Sequence, residues 1–135
     1  MFVDKFSNSQ SRKLHFDRYL KYSTDLKILV DLPFLKQWVN GSFVTLKNNP
    51  DDIDFITFLD HSVVKSLDKN LERFRSSNSW LVYGVDAYIV EVYQPGSDQY
   101  YFTESDSSYW LDRFGKTRRT VKRGSNPKGF LEIYF

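Results

Sequence analysis

Apolar side chains recur at helical spacing near the start of the chain. Between Lys13 and Asp31 no Gly or Pro interrupts the sequence, and the spacing of the apolar residues predicts one long helix. These residues are Phe16, Tyr19, Leu20, Leu26, Leu29 and Val30. The polar, Ser- and Asn-rich residues 1–11 are expected to form a loose leader.

Several later segments have the alternating or β-branched and aromatic composition of strands. They are residues 35–40, 53–59, 80–93 and 129–135. The first stops at Gly41, and the third is long and is preceded by a predicted loop at residues 76–79. Within the third, Gly84 is interpreted as a bulge or a close backbone approach.

Two further helices complete the pattern. Asp60 or Ser62 can cap a helix whose apolar residues occupy one face. Those residues are Val63, Val64, Leu67, Leu71 and Phe74. A shorter helix is predicted from Ser105 to Phe114, ended by Gly115. The resulting order predicts an α+β fold with a single mixed sheet of about four strands and helices packed mainly on one face.

Composition narrows the class of protein. The chain has 135 residues, of which 41% are hydrophobic, so residues 1–135 are expected to form a single domain. It contains no Cys, which excludes disulfides and thiolate metal sites and favours a cytoplasmic location. No run approaches the roughly 18 to 20 apolar residues of a membrane span, so no membrane partner is expected.

The distribution of charge along the chain indicates more about possible binding partners than the net charge does. The net charge of +2 is too small to indicate nucleic-acid binding. Residues 116–128 form a basic run without an acidic residue, and this run is either a solvated loop or a phosphate-binding segment. Its basic residues are Lys116, Arg118, Arg119, Lys122, Arg123 and Lys128.

Two aspartates stand two positions apart at the start of a predicted buried strand. In an extended chain, Asp52 and Asp54 project to the same face, with Ile53 turned to the core. A cation relieves the repulsion between such carboxylates, and Mg²⁺ prefers oxygen ligands and leaves room for substrate phosphates. Asp86 lies in another apolar strand, where an ionised side chain needs compensation. We therefore expect Asp86 to complete the metal site.

A Gly-Ser pair precedes the acids. Gly41 permits a close backbone approach, and backbone N–H groups together with the Ser42 hydroxyl can hold a phosphate oxygen. A Gly-Ser pair is common, however, and Asp-x-Asp after an Asn-Pro turn is also compatible with ordinary turn chemistry. Both interpretations stay open at the level of the residues.

The combined pattern resembles a known superfamily. Gly41-Ser42, a spacer, Asp52-Ile53-Asp54 and the later Asp86 resemble the signature of DNA polymerase beta-type nucleotidyltransferases. The segments WVNGSFVT, NPDDID, DAYIVEVYQPGS, YWLDRFGKTR and NPKGFLEI together resemble a small bacterial and phage branch of minimal nucleotidyltransferase-like proteins. The resemblance covers roughly residues 35–135.

The resemblance implies a set of roles. Asp52, Asp54 and Asp86 would be catalytic and would ligate two divalent ions, Mg²⁺ or Mn²⁺, with Asp86 as the third ligand or the general base. Gly41 and Ser42 would bind the phosphates of a nucleoside triphosphate, and Lys128 is a weaker nucleotide-binding candidate. The implied acceptor is a hydroxyl of a protein, an RNA or a small molecule.

Alternatives remain at this stage. A catalytically inactive nucleotidyltransferase fold that binds a nucleotide or a partner protein would suit an antitoxin, immunity or phage accessory protein.

Glu91 is a second candidate for the third acid, although its spacing puts it on the other strand face from Asp86. His61 is expected at a helix start and His15 on an exposed helix face. The Trp residues are expected mostly in the core, with base stacking as the alternative. They are Trp38, Trp80 and Trp110.

Overall fold

A computed structural model describes residues 10–40, 53–114 and 131–135 of the chain. The helices in this part are α1 (Gln10–Val30), α2 (His61–Ser66), α3 (Asp68–Leu71), α4 (Ser76–Tyr83) and α5 (Tyr100–Phe114). A 3₁₀ turn, Glu72–Phe74, connects α3 to α4. The strands are β1 (Lys36–Asn40), β2 (Asp54–Asp60), β3 (Asp86–Val92) and β4 (Leu131–Tyr134).

The strands form one mixed sheet in the order β3-β2-β1-β4. β1 pairs antiparallel with both β2 and β4, whereas β2 and β3 are parallel. A parallel pair needs a crossover connection, and the segment containing α2, α3 and α4 provides it. The predicted α+β fold with one mixed sheet is confirmed.

Alternation along the strands gives the sheet two apolar faces of unequal size. Phe55, Leu59 and Ala87 point to the larger core, which α1 and the crossover helices cover. Ile56 and Val90 point to the opposite face, where Trp110 of α5 is buried against them. The helices therefore pack mainly on one face, and α5 alone covers the other among the described elements.

Helix α1 contributes an aromatic stripe to the larger core. Tyr19, Tyr22 and Leu26 are buried on the face that meets the sheet, and the Tyr22 ring stands edge-on to Phe55 with centroids 4.9 Å apart. His15 lies four residues before Tyr19 on the same face and is only 6% exposed. The expectation of an exposed His15 was therefore wrong, because helical spacing places it on the buried stripe.

A buried polar group fixes α1 to the sheet. Gln37 of β1 is fully buried, and its amide nitrogen donates to Ser23 Oγ at 3.0 Å and to Thr57 Oγ1 at 3.1 Å. The Tyr19 hydroxyl donates to Gln37 Oε1 at 2.5 Å. Because a register shift by one residue would turn Gln37 to the other face, this network helps to specify the β1–β2 register.

The predicted long strand over residues 80–93 was wrong in its first half. Ser76–Tyr83 is helix α4, so the predicted loop at 76–79 is also helical, and β3 begins only at Asp86. Gly84 ends the helix in the left-handed conformation, at φ 71°, rather than forming a bulge. Glycine adopts this conformation without the steric cost that a side chain adds.

Other predictions hold with shifted boundaries. α1 begins at Gln10 and α5 at Tyr100, both earlier than predicted. The helix after Asp60 forms, with Ser62 N donating to the Asp60 side chain at 2.9 Å, but it breaks at Leu67. No helix in the described part of the chain is both long enough and apolar enough to cross a membrane.

Candidate functional site

Two of the predicted catalytic acids lie side by side. Asp54 and Asp86 are the first residues of the parallel strands β2 and β3, and they are register partners. Register partners on neighbouring strands project to the same face, with the strands about 4.8 Å apart. Residues 32 positions apart in sequence (86 − 54) therefore present two carboxylates to one point on the sheet.

A third strand ends at the same edge. The last residue of β1, Asn40, is the register partner of Asp54 in the antiparallel β1–β2 pair. β1 therefore finishes where β2 and β3 begin. The predicted phosphate-binding pair Gly41 and Ser42 follows Asn40 in the sequence but lies outside the described residues.

The face that carries the acids continues into the smaller core. Beyond the acids, Ile56 and Tyr88 are the next same-face register partners, and the Tyr88 ring packs on Trp110 with centroids 4.6 Å apart. Both aspartates are half-buried, and one Asp54 carboxylate oxygen is buried from solvent. The acids therefore sit at the boundary between an apolar surface and solvent, where charge interactions are screened less than in water.

Tyr88 interacts directly with the acid pair. Burial raises the pKa of the Tyr88 hydroxyl, and its hydrogen bond to Asp86 and the negative charges of Asp86 and Asp54 raise it further. The phenol therefore stays protonated and donates to the Asp86 carboxylate. Because Tyr88 is two residues after Asp86 on the same strand, this contact orients the carboxylate.

Among the described residues, Arg113 of α5 brings positive charge close to Asp54. Burial lowers the pKa of Arg113. The Tyr109 hydroxyl accepts a hydrogen bond from Arg113 at 3.3 Å, and this bond together with the negative charge of Asp54 outweighs burial. The pKa of Arg113 is therefore raised overall. Its guanidinium lies 5.9 Å from the Tyr88 ring centroid and 5.1 Å from that of Trp110. Arg113 therefore brings a positive charge held on aromatic faces to the vicinity of Asp54.

An open cleft of about 430 Å³ adjoins the acid pair. Its lining residues are Ser76, Ser77, Trp80, Asp86 and Tyr88. Ser76 adopts a left-handed conformation, at φ 44°, which costs about 1–3 kcal/mol for a residue other than Gly and is often found at functional sites. The cleft thus combines hydroxyl groups, a carboxylate and aromatic rings.

The position of α4 beside this cleft depends on one buried hydroxyl. Ser79 Oγ donates to the Ser76 carbonyl at 2.5 Å and accepts a hydrogen bond from Ala87 N at 3.1 Å. The Ser79 hydroxyl therefore provides a hydrogen-bond partner for the backbone N–H of Ala87 on the outer edge of β3, next to Asp86. This bond fixes α4, and with it Trp80, against the strand that carries the acid.

The donor set suits a hard divalent cation. Asp54 and Asp86 supply carboxylate oxygens from adjacent strands, the ligand type that Mg²⁺ and Mn²⁺ prefer. No group of three His, Cys, Asp or Glu side chains in the described ranges has the arrangement of a metal site. Asp52, the predicted partner of Asp54 in the first acid pair, lies outside those ranges, as do Lys128 and the rest of the basic run 116–128.

The alternative third acid faces elsewhere. Glu91 is five residues after Asp86 on β3, and odd spacing turns it to the opposite face of the sheet. Its carboxylate accepts a hydrogen bond from the Tyr93 hydroxyl at 3.0 Å. His61, at the start of α2 as predicted, stacks on the Tyr93 ring with centroids 4.8 Å apart. The structure does not bring these residues to the acid pair.

Sequence reasoning did not identify Tyr88, Arg113 or the serines of the cleft as site residues. Tyr88 had a usable signal, because it shares the alternation of Asp86 along β3. Arg113 had none, since its approach to Asp54 depends on how α5 crosses the sheet. Ser76 and Ser77 were assigned to a loop, and Trp80 to a strand.

Comparisons with known proteins give a family. No curated protein and no solved structure matches the chain. One family model, described as "Family of unknown function (DUF6932)", matches residues 1–134. Because this match spans nearly all of the 135 residues, the chain belongs to the family DUF6932.

Proposed function

We propose that this protein is a cytoplasmic, Mg²⁺-dependent nucleotidyltransferase, which moves a nucleoside monophosphate from a nucleoside triphosphate to a hydroxyl group. The observation that carries the proposal is the register pairing of Asp54 with Asp86 on adjacent parallel strands. Placing two acids on one face of a sheet produces repulsion that a bound cation relieves. The acceptor hydroxyl belongs to a protein, an RNA or a small molecule.

The proposed roles extend to residues outside the described ranges. Asp54 and Asp86, together with Asp52, would hold two divalent cations. Gly41 and Ser42 would bind phosphate oxygens at the edge where β1 ends. Lys128 is proposed as an additional contact to the triphosphate. When bound, the cations neutralise charge on the attacking and leaving oxygens.

The chain's own residues have separate tasks in the proposed reaction. The acceptor oxygen forms a bond to the α-phosphorus, the bond from that phosphorus to the pyrophosphate oxygen breaks, and pyrophosphate leaves. Asp86 is suited to accept the proton of the attacking hydroxyl or to hold a cation, because Tyr88 orients its carboxylate. Arg113 adds positive charge near Asp54, which favours the phosphate-rich substrate.

The experiment is a labelling assay with paired variants. Purified protein is incubated with each α-³²P-labelled nucleoside triphosphate, Mg²⁺ or Mn²⁺ and a cell lysate as the source of acceptor. We expect Asp54→Asn and Asp86→Asn to reduce transfer on the order of 100-fold or more, since each removes a charge that stabilises the transition state. Glu91→Gln is the matched control, because it neutralises an acid of the same strand on the opposite face.

Two outcomes would reject the assignment. Equal labelling by the wild type and both Asn variants would show that the acid pair is not catalytic. Loss of labelling in Glu91→Gln alone would move the chemistry to the other face of the sheet.

A second candidate function is a binding module that recognises a nucleotide or a partner protein without turnover. Arg113 favours it, because a guanidinium near Asp54 partly balances the charge of that carboxylate without a metal ion. Such a protein would fit an antitoxin, immunity or phage accessory role. The two candidates differ in calorimetry combined with a pyrophosphate assay. Nucleotide binding without pyrophosphate release supports the module, and release that depends on Asp54 and Asp86 removes it.

A further inference from the structure

We propose that the cleft beside Asp86 binds the base of the nucleotide, with Trp80 as the stacking platform. This inference rests on the proposed function, since it assigns the substrate's base to a site next to the acids. The cleft is lined by Ser76, Ser77, Trp80, Asp86 and Tyr88.

Trp80 is placed as a binding residue rather than a core residue. It is 52% exposed, whereas Trp110, which is buried in the smaller core, is 8% exposed. Within α4, the buried positions are Ser79 and Tyr83, so the helix anchors itself without the indole. An exposed indole that lines a cleft offers a flat apolar surface, which every nucleobase can stack on.

The cleft supplies more than an apolar surface. Ser76 and Ser77 add hydroxyl groups that both donate and accept hydrogen bonds, which suits the edge of a heterocyclic base. Tyr88 adds a second aromatic ring, held in place by Trp110 at 4.6 Å and by its contact with Asp86. A few polar groups among aromatic walls are typical of a small-molecule site.

The cleft is continuous with the proposed catalytic acids. Asp86 is both a lining residue and the register partner of Asp54. A nucleotide whose phosphates lie at the acid pair therefore has an open space of about 430 Å³ directly adjacent for its base and sugar. This volume is within the range of small-ligand pockets, about 300–1,000 Å³.

Binding measurements separate the base from the phosphates. Calorimetry with Mg²⁺ present compares α,β-methylene analogues of the four common nucleoside triphosphates, which cannot release pyrophosphate, with inorganic tripolyphosphate, which has no base. We expect Trp80→Ala to weaken the tightest analogue about 5- to 160-fold, the loss of one stacked base. Trp80→Phe should retain most of the affinity, and tripolyphosphate should bind both variants as it binds the wild type.

The neighbouring residue provides the control. Leu81→Ala removes an apolar side chain that is 79% exposed and belongs to the same helix but does not line this cleft. It should bind the analogues like the wild type. Because Trp80 is exposed, Trp80→Ala is expected to fold, and circular dichroism with urea denaturation verifies this.

The possible results distinguish this inference from the proposed function. If Trp80→Ala binds the analogues as tightly as the wild type while Asp54→Asn loses binding, the base site is wrong and the proposed function stands. If no analogue binds the wild type, both fail. Trp80-dependent binding of the analogues, combined with no pyrophosphate release from unmodified nucleoside triphosphates in the pyrophosphate assay, supports the base site and overturns catalysis.

Discussion

Neutralising one acid of the Asp54–Asp86 pair should stabilise the protein in the absence of divalent cations. The two carboxylates project from the same face of strands that are about 4.8 Å apart. At roughly 5 Å, two unit charges repel by about 0.8 kcal/mol in water and about 3 kcal/mol at an effective dielectric constant of 20. Both residues are half-buried, so the true value lies between these limits.

Nearby groups reduce the expected gain. Tyr88 donates to Asp86, and Arg113 brings positive charge near Asp54. Like charges on facing strand positions typically cost about 0.2–1 kcal/mol. We therefore expect Asp86→Asn to raise the free energy of unfolding by about 0.5–1 kcal/mol, and the melting temperature by about 2–5 °C. Asn keeps an oxygen that accepts the Tyr88 hydrogen bond.

Adding Mg²⁺ should make the wild type more stable than Asp86→Asn. A ligand that binds only the folded state at ten times its Kd stabilises the protein by about 1.4 kcal/mol. The wild type should gain this stability, whereas Asp86→Asn should gain much less. The assay is urea denaturation in EDTA and in Mg²⁺, with Asp98→Asn, an exposed acid in the turn after β3, as the control. If Asp86→Asn is no more stable than the wild type in EDTA, and both gain equally from Mg²⁺, the reasoning is refuted.

Three further predictions concern the scaffold. Gln37→Leu should lower the free energy of unfolding by about 2–4 kcal/mol in urea denaturation, because Ser23 and Thr57 lose a buried partner; a change below about 1 kcal/mol would contradict this. Asp60→Ala should cost about 1 kcal/mol at pH 7 by removing the cap of α2. Hydrogen bonds from Ser62 lower the Asp60 pKa. The stabilisation by the ionised cap is therefore complete above about pH 4 and is lost as pH falls through the lowered Asp60 pKa. A cost of Asp60→Ala that stays the same from about pH 7 to about pH 2 would contradict this. Gly84→Ala should cost about 1–2 kcal/mol, since φ is 71° and the added Cβ would lie 2.9 Å from Arg18 Nε. Gly84→Asn should cost less, and equal losses would argue against the conformational explanation.

The sequence predicted the strands that carry the acids because strand composition is a local property. β2 and β3 are rich in β-branched and aromatic residues, so Asp54 and Asp86 could be assigned to strand starts or interiors from their neighbours. Their exact register is set by pairing across 32 positions, 86 − 54, and only the structure gives it.

Helix α4 shows where local pattern fails. Trp80, Leu81, Val82 and Tyr83 are a continuous apolar run with high strand propensity, and short apolar runs do not distinguish a strand from a helix. Tertiary contacts decide the outcome here. The Ser79 hydroxyl bonds to the β3 backbone, and Gly84 takes the left-handed conformation that ends a helix.

The environment of the acids was beyond local reasoning for a similar reason. Arg113 reaches the pair because α5 crosses the smaller face of the sheet, and the cleft exists because α4 stands beside β3. Neither position follows from spacing along the chain. Residue types in the sequence thus suggested the chemistry, whereas packing between distant segments determines which side chains support it.

Diffraction from a crystal soaked with Mn²⁺ and an α,β-methylene nucleoside triphosphate tests the central claim most directly. Data collected at a wavelength where manganese scatters anomalously locate the cation. The account predicts an anomalous peak within about 2.0–2.4 Å of carboxylate oxygens of both Asp54 and Asp86, with the nucleotide phosphates on its far side. A nucleotide bound elsewhere, or saturating Mn²⁺ with no peak at this pair, would contradict it.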